Sequence, residues 1–325
     1  MRVPLPAAMI TTSTAFMRWI LHRGWPRLLV SRDPIIGEPM RCLRMILLLL
    51  WMPLVLGGCS MVKTVYNSSP DLAYWWIDRF VDVSAEQRPV LIDDLQAYQQ
   101  WHRTTQLPRY TQWLQQLQSM ALQDVSEEQA CKVFREIWES LPTLAENADG
   151  GTARLVSSLS VEQLEHLRNK LERQHRDWRR DWVEPEAADL LKKRIQRTRE
   201  RAEDFYGRLD APQQRLLRQQ AERSPYDAAV GEAMRLRRQE DIMTTLRGLQ
   251  QQRPAPEELR RQVRALLQRS VISPVPAHQA YVDRLIDFNC RAMAQMHNIT
   301  SAEQRQAALK RLQKYERDVR LLVAR

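Results

Sequence analysis

Between residues 101 and 113 the sequence gathers side chains that could do chemistry: Trp101-His102-Arg103, then Leu107-Pro108-Arg109-Tyr110, then Trp113. A histidine exchanges a proton near neutral pH, an arginine grips a carboxylate or phosphate through paired N–H donors, and a tyrosine donates to an oxygen. Set among three aromatic rings at a proline, these groups suit a ligand or peptide groove. They also suit a hydrolase or transferase site built on His102, Arg103 and Tyr110. The same residues would equally make a plain corner between two helices, with Trp and Tyr packed and His102 bonded to a backbone carbonyl. Both readings stand at this level.

The cysteines offer a second chemistry. The run from Met45 to Leu56 is apolar and ends in Gly57-Gly58-Cys59-Ser60, with Arg41 and Arg44 in front of it. About 20 apolar residues are needed to cross a bilayer, so this run is too short for a spanning helix and fits the core of a secretory signal. Leu56-Gly57-Gly58-Cys59 resembles a bacterial lipobox, which implies cleavage before Cys59 and lipid on its sulfur and amine. Three acyl chains would hold such a terminus to a membrane permanently, at about 0.8 kcal/mol per buried CH₂. Ser60, where an aspartate would favour inner-membrane retention, implies the outer membrane facing the periplasm. On this reading residues 1–39 are an over-extended start or a long n-region, 40–58 the signal peptide and 59–69 a lipidated tether. Residues 70–325 are then the periplasmic domain.

Cys42 would leave with the signal and Cys59 would carry lipid, so Cys131 and Cys290 remain. Cys131 shares a helical face with Phe134, Trp138 and Leu141, and Cys290 shares one with Ile286 and Met293. Two core-facing cysteines in an oxidising compartment are expected to pair, with two separate buried thiols as the alternative.

Charge narrows the partners. The chain carries a formal +10, but residues 1–58 hold seven arginines and two acidic residues, so a mature chain keeps +5. Interspersed charge of that size favours solubility over a phosphate track, and no nucleic-acid partner is expected. Nucleophile-elbow, nucleotide-loop, zinc-protease and dinucleotide motifs are absent, and no cofactor is called for. His102, His166, His175, His278 and His297 never stand at the i, i+3 or i, i+4 spacing of helical metal ligands, so no metal site is expected.

The elements that must position these groups read as helices throughout. One phrase recurs at their starts: Val83-Ser84-Ala85-Glu86-Gln87, Val125-Ser126-Glu127-Glu128-Gln129 and Leu159-Ser160-Val161-Glu162-Gln163. Looser forms are Leu209-Asp210-Ala211-Pro212-Gln213 and Ile299-Thr300-Ser301-Ala302-Glu303, the last read with Thr300 as the cap. Each is a capping box, in which a Ser, Thr or Asp side chain binds backbone N–H groups and a Gln or Glu three residues on bonds back. Leu159 would staple onto Leu164. Starts are also marked at Ser69-Pro70, Glu184-Pro185 and Ser224-Pro225. Breaks are expected at Leu107-Pro108, Asn147 to Gly151, Arg253 to Pro256 and Ser273 to Pro276. These marks divide the chain into about nine or ten amphipathic helices, an all-α multi-helix bundle. The Arg/Glu/Gln-rich faces read as solvated, and Trp75-Trp76, Trp178 and Trp182 as core or interface anchors. The irregular spacing of the boxes argues for a repeated helix-start signal, with no repeated domain.

The lipobox, followed by Tyr66, Trp76, Asp82, Gln87, Trp101-His102-Arg103, Leu107-Pro108, Tyr110 and Leu159-Ser160-x-x-Gln163, resembles an uncharacterised family of proteobacterial lipoproteins. That resemblance implies an envelope address and an all-helical fold, and brings no activity or catalytic residue with it. The recurring phrase is also similar to the LTxxQ motif of small periplasmic chaperones. The expectation is a non-enzymatic outer-membrane lipoprotein that binds envelope proteins or cell-wall components, in its sharper form as a chaperone. The alternative is an envelope hydrolase or transferase near His102, Arg103 and Tyr110.

Overall fold

Helix succeeds helix along the computed structural model, which describes residues 60–324. The leader segments 1–39 and 40–58 and the lipid site Cys59 lie outside the described residues. Fourteen α-helices are described: α1 (Ser60–Asn67), α2 (Ser69–Val81), α3 (Gln87–Trp101), α4 (Leu107–Met120), α5 (Glu127–Glu139), α6 (Leu141–Asn147) and α7 (Asp149–Ser157), then α8 (Val161–Trp182), α9 (Ala187–Tyr206), α10 (Ala211–Arg223), α11 (Ala228–Gln252), α12 (Pro256–Val271), α13 (Pro276–Asn298) and α14 (Ala302–Val323). No strand occurs among the described residues. The all-α class is as expected, and the helix count is higher. One extra helix, α1, lies in the stretch read as a tether. Another arises at Leu141-Pro142, where the proline withholds an amide donor, ends α5 and opens α6.

The marked prolines otherwise fall where helices begin or end. The exception is Leu107-Pro108. Here the chain does not break: a π-helical turn, His102–Gln106, joins α3 directly to α4. The Leu107 amide reaches back to the His102 carbonyl, and the Thr104 and Thr105 hydroxyls donate to carbonyls of Gln100 and Trp101. Pro108 falls in the first turn of α4, directly after the wider hydrogen bonding of the π turn, and the helix runs on through it.

The capping boxes form, and they do more than start helices. Gln87 and Gln163 face each other, and each Nε2 donates to the other's Oε1, at 3.1 and 2.7 Å. Each Oε1 also accepts the amide of its own cap residue, Ser84 or Ser160, at 3.0 Å. Each Nε2 spends its second proton on the chain two residues before the partner's cap: Gln163 on the Asp82 carbonyl and Gln87 on that of Ser158. All four hydrogen-bonding positions of both amides are thereby used. Gln213 and Gln304 repeat the arrangement, at 2.7 and 3.0 Å, with Ile299 and Arg208 supplying the carbonyls. The four boxes thus close two glutamine clasps between helix starts 76 and 91 residues apart. The clasp corrects the last box: Ser301, not Thr300, is the cap, and Gln304 is its partner. Thr300 instead donates to the His297 carbonyl at 2.6 Å. The fifth box, Ser126 and Gln129, forms alone on an exposed face.

Chain reversals before the clasps need unusual backbone. Asp82 stands at φ 59° and Gly207 at φ 84°, the latter a position only glycine takes freely. From Pro70 onward the residues form one compact unit, and α1 belongs to a separate one. Within the larger unit α4 packs along α14, α5 along α13, α8 along α11, and α12 across α6 and α7. Leu164, Leu167, Met243, Leu246 and Leu266 knit α8, α11 and α12, with Leu159 packed against them as a staple requires. Leu114, Ala121 and Leu312 close α4 on α14. Gly151 lets α7 approach α3 so closely that a Cβ there would meet that of Asp94 at 3.0 Å. At the start of α7, Asp149 is 1 % exposed and bonds Arg260 and Arg264 of α12. Burial alone would raise its pKa, but hydrogen bonds and charge from these arginines outweigh that and hold it below the ordinary value.

Candidate functional site

The corner residues sit on one continuous helical stretch. His102 opens the π turn, and its Nε2 lies 3.3 Å from the Tyr110 hydroxyl two turns on. The two rings meet edge to face with centroids 5.5 Å apart, Tyr110 stacks on Trp113 at 5.3 Å, and Arg109 caps Trp113 from 5.6 Å. Trp101 reaches the His102 ring edge-on, at 6.5 Å. The structure thus brings Trp101, His102, Tyr110 and Trp113 into one chain of contacts and adds Arg109. Arg103 stands on the same π turn, half-buried.

Burial holds the His102 imidazole below its ordinary pKa and pushes the Tyr110 hydroxyl above its own, against the opposing charge of Arg109. Both groups are therefore neutral near pH 7. A neutral His–Tyr pair can orient a ligand through one donor and one acceptor. It presents neither an imidazolium nor a tyrosinate. Buried polar groups lie on the elements that meet here: Gln106 on the π turn is 3 % exposed and Asp318 on α14 is 5 % exposed. The Gln106 Oε1 and both Asp318 carboxyl oxygens have no hydrogen-bond partner among the described residues. Burial raises the Asp318 pKa, and Lys314 and Arg317 oppose it.

A second assembly was not legible as a site in the sequence. It forms where the C-terminal end of α8 meets the starts of α9 and α11. Trp182 carries Lys193 at 4.6 Å and Arg197 at 4.4 Å over its ring, and Tyr226, 6.3 Å from Trp182, carries Arg194 at 4.7 Å. Trp178 carries Arg235 at 5.4 Å and packs on Gly231. The tryptophans read as plain anchors are platforms for cations, and part of the Arg-rich face read as solvated is half-buried. The signal that could have found it is Lys193 and Arg197 at i, i+4, following two tryptophans and a Glu184-Pro185 break.

Cys131 and Cys290 are joined as a disulfide, with Cα atoms 4.9 Å apart across a sequence separation of 159 residues. The bond ties α5 to α13 inside a cluster with Phe134 and Ile286. Cys131, Cys290 and Asp287 form the one grouping among the described residues tight enough to hold a metal ion, and its sulfurs are spent on each other.

Residues 79–272, more than half of the chain, match DUF6279, a family of unknown function. The chain belongs to this family. The DUF6279 region runs from the end of α2 to the end of α12 and takes in the corner, the cation platforms and Cys131. Cys290 and Gln304 lie beyond it, so both the disulfide and the second clasp join the DUF6279 region to α13 and α14. No curated protein and no solved structure matches the chain.

Proposed function

We propose that the chain is an outer-membrane lipoprotein, anchored through Cys59, whose helical domain faces the periplasm and binds an envelope component without catalysing a reaction. The observation that carries this reading is the Cys131–Cys290 bond, a feature of proteins that mature in an oxidising compartment. The Arg-flanked apolar run ending in Gly57-Gly58-Cys59-Ser60 supplies the address. Labelling cells with radioactive palmitate tests the anchor: label on the wild type and none on Cys59→Ala is expected, and label retained in the mutant overturns it.

Two features favour specific binding over a chaperone's capture of unfolded chains. Large exposed apolar residues are spread over several elements, with Trp75 on α2, Val90 on α3, Leu236 on α11 and Leu321 on α14. Cations over aromatic rings occur on several elements too, but four of them come together on α9 and α11. A chaperone would slow aggregation of an unfolded client at stoichiometric ratio, and this protein is expected not to.

The His102–Tyr110 contact favours the second reading, an envelope hydrolase or transferase at the corner. Its neutral state suits ligand positioning better than nucleophilic attack. Incubating the protein with peptidoglycan and resolving the products tests this reading: new fragments that vanish in His102→Gln would establish the enzyme.

A further inference from the structure

Arg194 is half-buried, and no carboxylate among the described residues is paired to it. Its guanidinium lies over Tyr226, and the neighbours that act on it electrostatically are the hydroxyl-bearing rings of Tyr226 and Tyr281, both uncharged near pH 7. Burial holds its pKa below the ordinary arginine value. The carboxylates nearby are committed elsewhere. Asp227 caps α11 through the amides of Ala229 and Val230, and Glu232 takes His175 and Arg179. Asp181 lies on Lys193, which donates to its carbonyl at 2.7 Å and stands 3.9 Å from its carboxylate, and neither bond reaches Arg194. About three turns into α11, Arg238 is likewise held below its ordinary pKa by burial, with no carboxylate among the described residues paired to it. Removing a charge from water without a carboxylate partner is costly, and the ring under Arg194 offsets only part of that cost.

Stacking sets what they can do. A guanidinium held over a ring still has N–H donors at its rim that the ring does not use. Arg194 and Arg197, three residues apart on α9, share one side of that helix, and Lys193 shares the Trp182 platform with Arg197. Two forks and an ammonium around the Trp182–Tyr226 ring pair match a group with several acceptor oxygens and more than one negative charge. We propose that Lys193, Arg194 and Arg197, held on Trp182 and Tyr226, form a binding site for a phosphate group. Arg235 and Arg238 extend the positive field along α11. The phosphate comes either from the headgroup of an anionic lipid or from a free phosphorylated molecule. The site deepens the binding reading above, on which the lipid source depends.

Isothermal titration of the full chain, purified in a neutral detergent, tests the site in two arms. Inorganic pyrophosphate probes the free source. Micelles doped with dioleoylphosphatidylglycerol, against dioleoylphosphatidylcholine, probe the lipid source. Binding in either arm that weakens at least tenfold in Arg194→Gln/Arg197→Gln, with thermal unfolding no lower than wild type, is the expected result. Heat in the pyrophosphate arm assigns a free phosphate, and heat in the lipid arm alone assigns a headgroup. No binding in either arm, or equal binding by wild type and variant, overturns the site. If the double variant does not fold, Arg194→Lys keeps the charge and stem but loses the fork, and unchanged binding there also overturns it. A failed palmitate result would remove the envelope address and leave this titration standing, and a failed titration would leave the address standing.

Discussion

Gln87 and Gln163 close one clasp with a third partner in the exposed Ser158 hydroxyl, and Gln163 is 9 % exposed. Gln213 and Gln304 close the other with the same bonds, but Gln213 is 1 % exposed and lies beside a buried network. There Tyr206 bonds His297 Nδ1, His297 Nε2 bonds the Gln123 carbonyl, and Asn298 holds both backbone groups of Val125. Identical wiring therefore has different consequences. An amide broken at half-buried Gln87 or Gln304 can turn to solvent, and one at Gln213 has the least room to do so. Hydrogen bonds contribute modestly when made and cost most when a buried partner is orphaned.

This contrast can be broken or sharpened by experiment. The largest effect is expected from the disulfide, because Cys290 lies on the helix that leads into the second clasp. Replacing both cysteines by serine should lower stability by about 5 kcal/mol in the chain-entropy account, read by urea unfolding. Hydrogen exchange should then quicken at Gln213 and Gln304 before Gln87 and Gln163, and the reverse order would undo the comparison.

Next come the glutamines themselves. Gln213→Leu strands the Gln304 amide, the Ile299 carbonyl and the Asp210 amide, and should cost about 3 kcal/mol; Gln163→Leu, partly rescued by water, should cost about 1–2 kcal/mol. Equal losses would mean that burial does not separate the clasps. Ser126→Ala, in the box with no partner, should cost about 1 kcal/mol, the value of a cap alone.

The smallest effect is one of pH. Burial depresses the His297 pKa against the opposing bond from Gln123, so the unfolded chain takes up the proton first. Stability from this group is complete above about 6.5, the unfolded value, and is lost as pH falls toward the lower folded value. Protection at the second clasp, taken relative to the intrinsic exchange rate at each pH, should therefore fall between neutral and mildly acidic pH, and His297→Gln should flatten that profile.

Three of the four helix starts in the clasps were legible from one local phrase, because a capping box is complete within four residues, and the fourth was read one residue early. The pairing was not. A capping glutamine uses its Oε1 locally, and the two protons left on Nε2 were the overlooked sign that a distant acceptor must exist. Thr300 and Ser301 both offer a cap, and only the need to bring Gln304 to Gln213 decides between them. The cysteine pairing was readable because each cysteine shares a face with core residues. The break expected at Pro108 failed for a tertiary reason: α4 and α3 each have a neighbour to meet, and a continuous helix serves both.

That π turn acts as a change of gear. It places one residue more in the turn than an α-helix would, which advances the following helix by about 100° about the common axis. Residues before it face α7 and residues after it face α14, so one rod addresses two partners from two sides. Deleting a single residue between His102 and Gln106 would leave a helix of good local geometry with its second half turned the wrong way. Leu114 and Leu117 would rotate off Leu312 while no hydrogen bond along the rod was lost. For this molecule the count of residues through the corner matters as much as their identity.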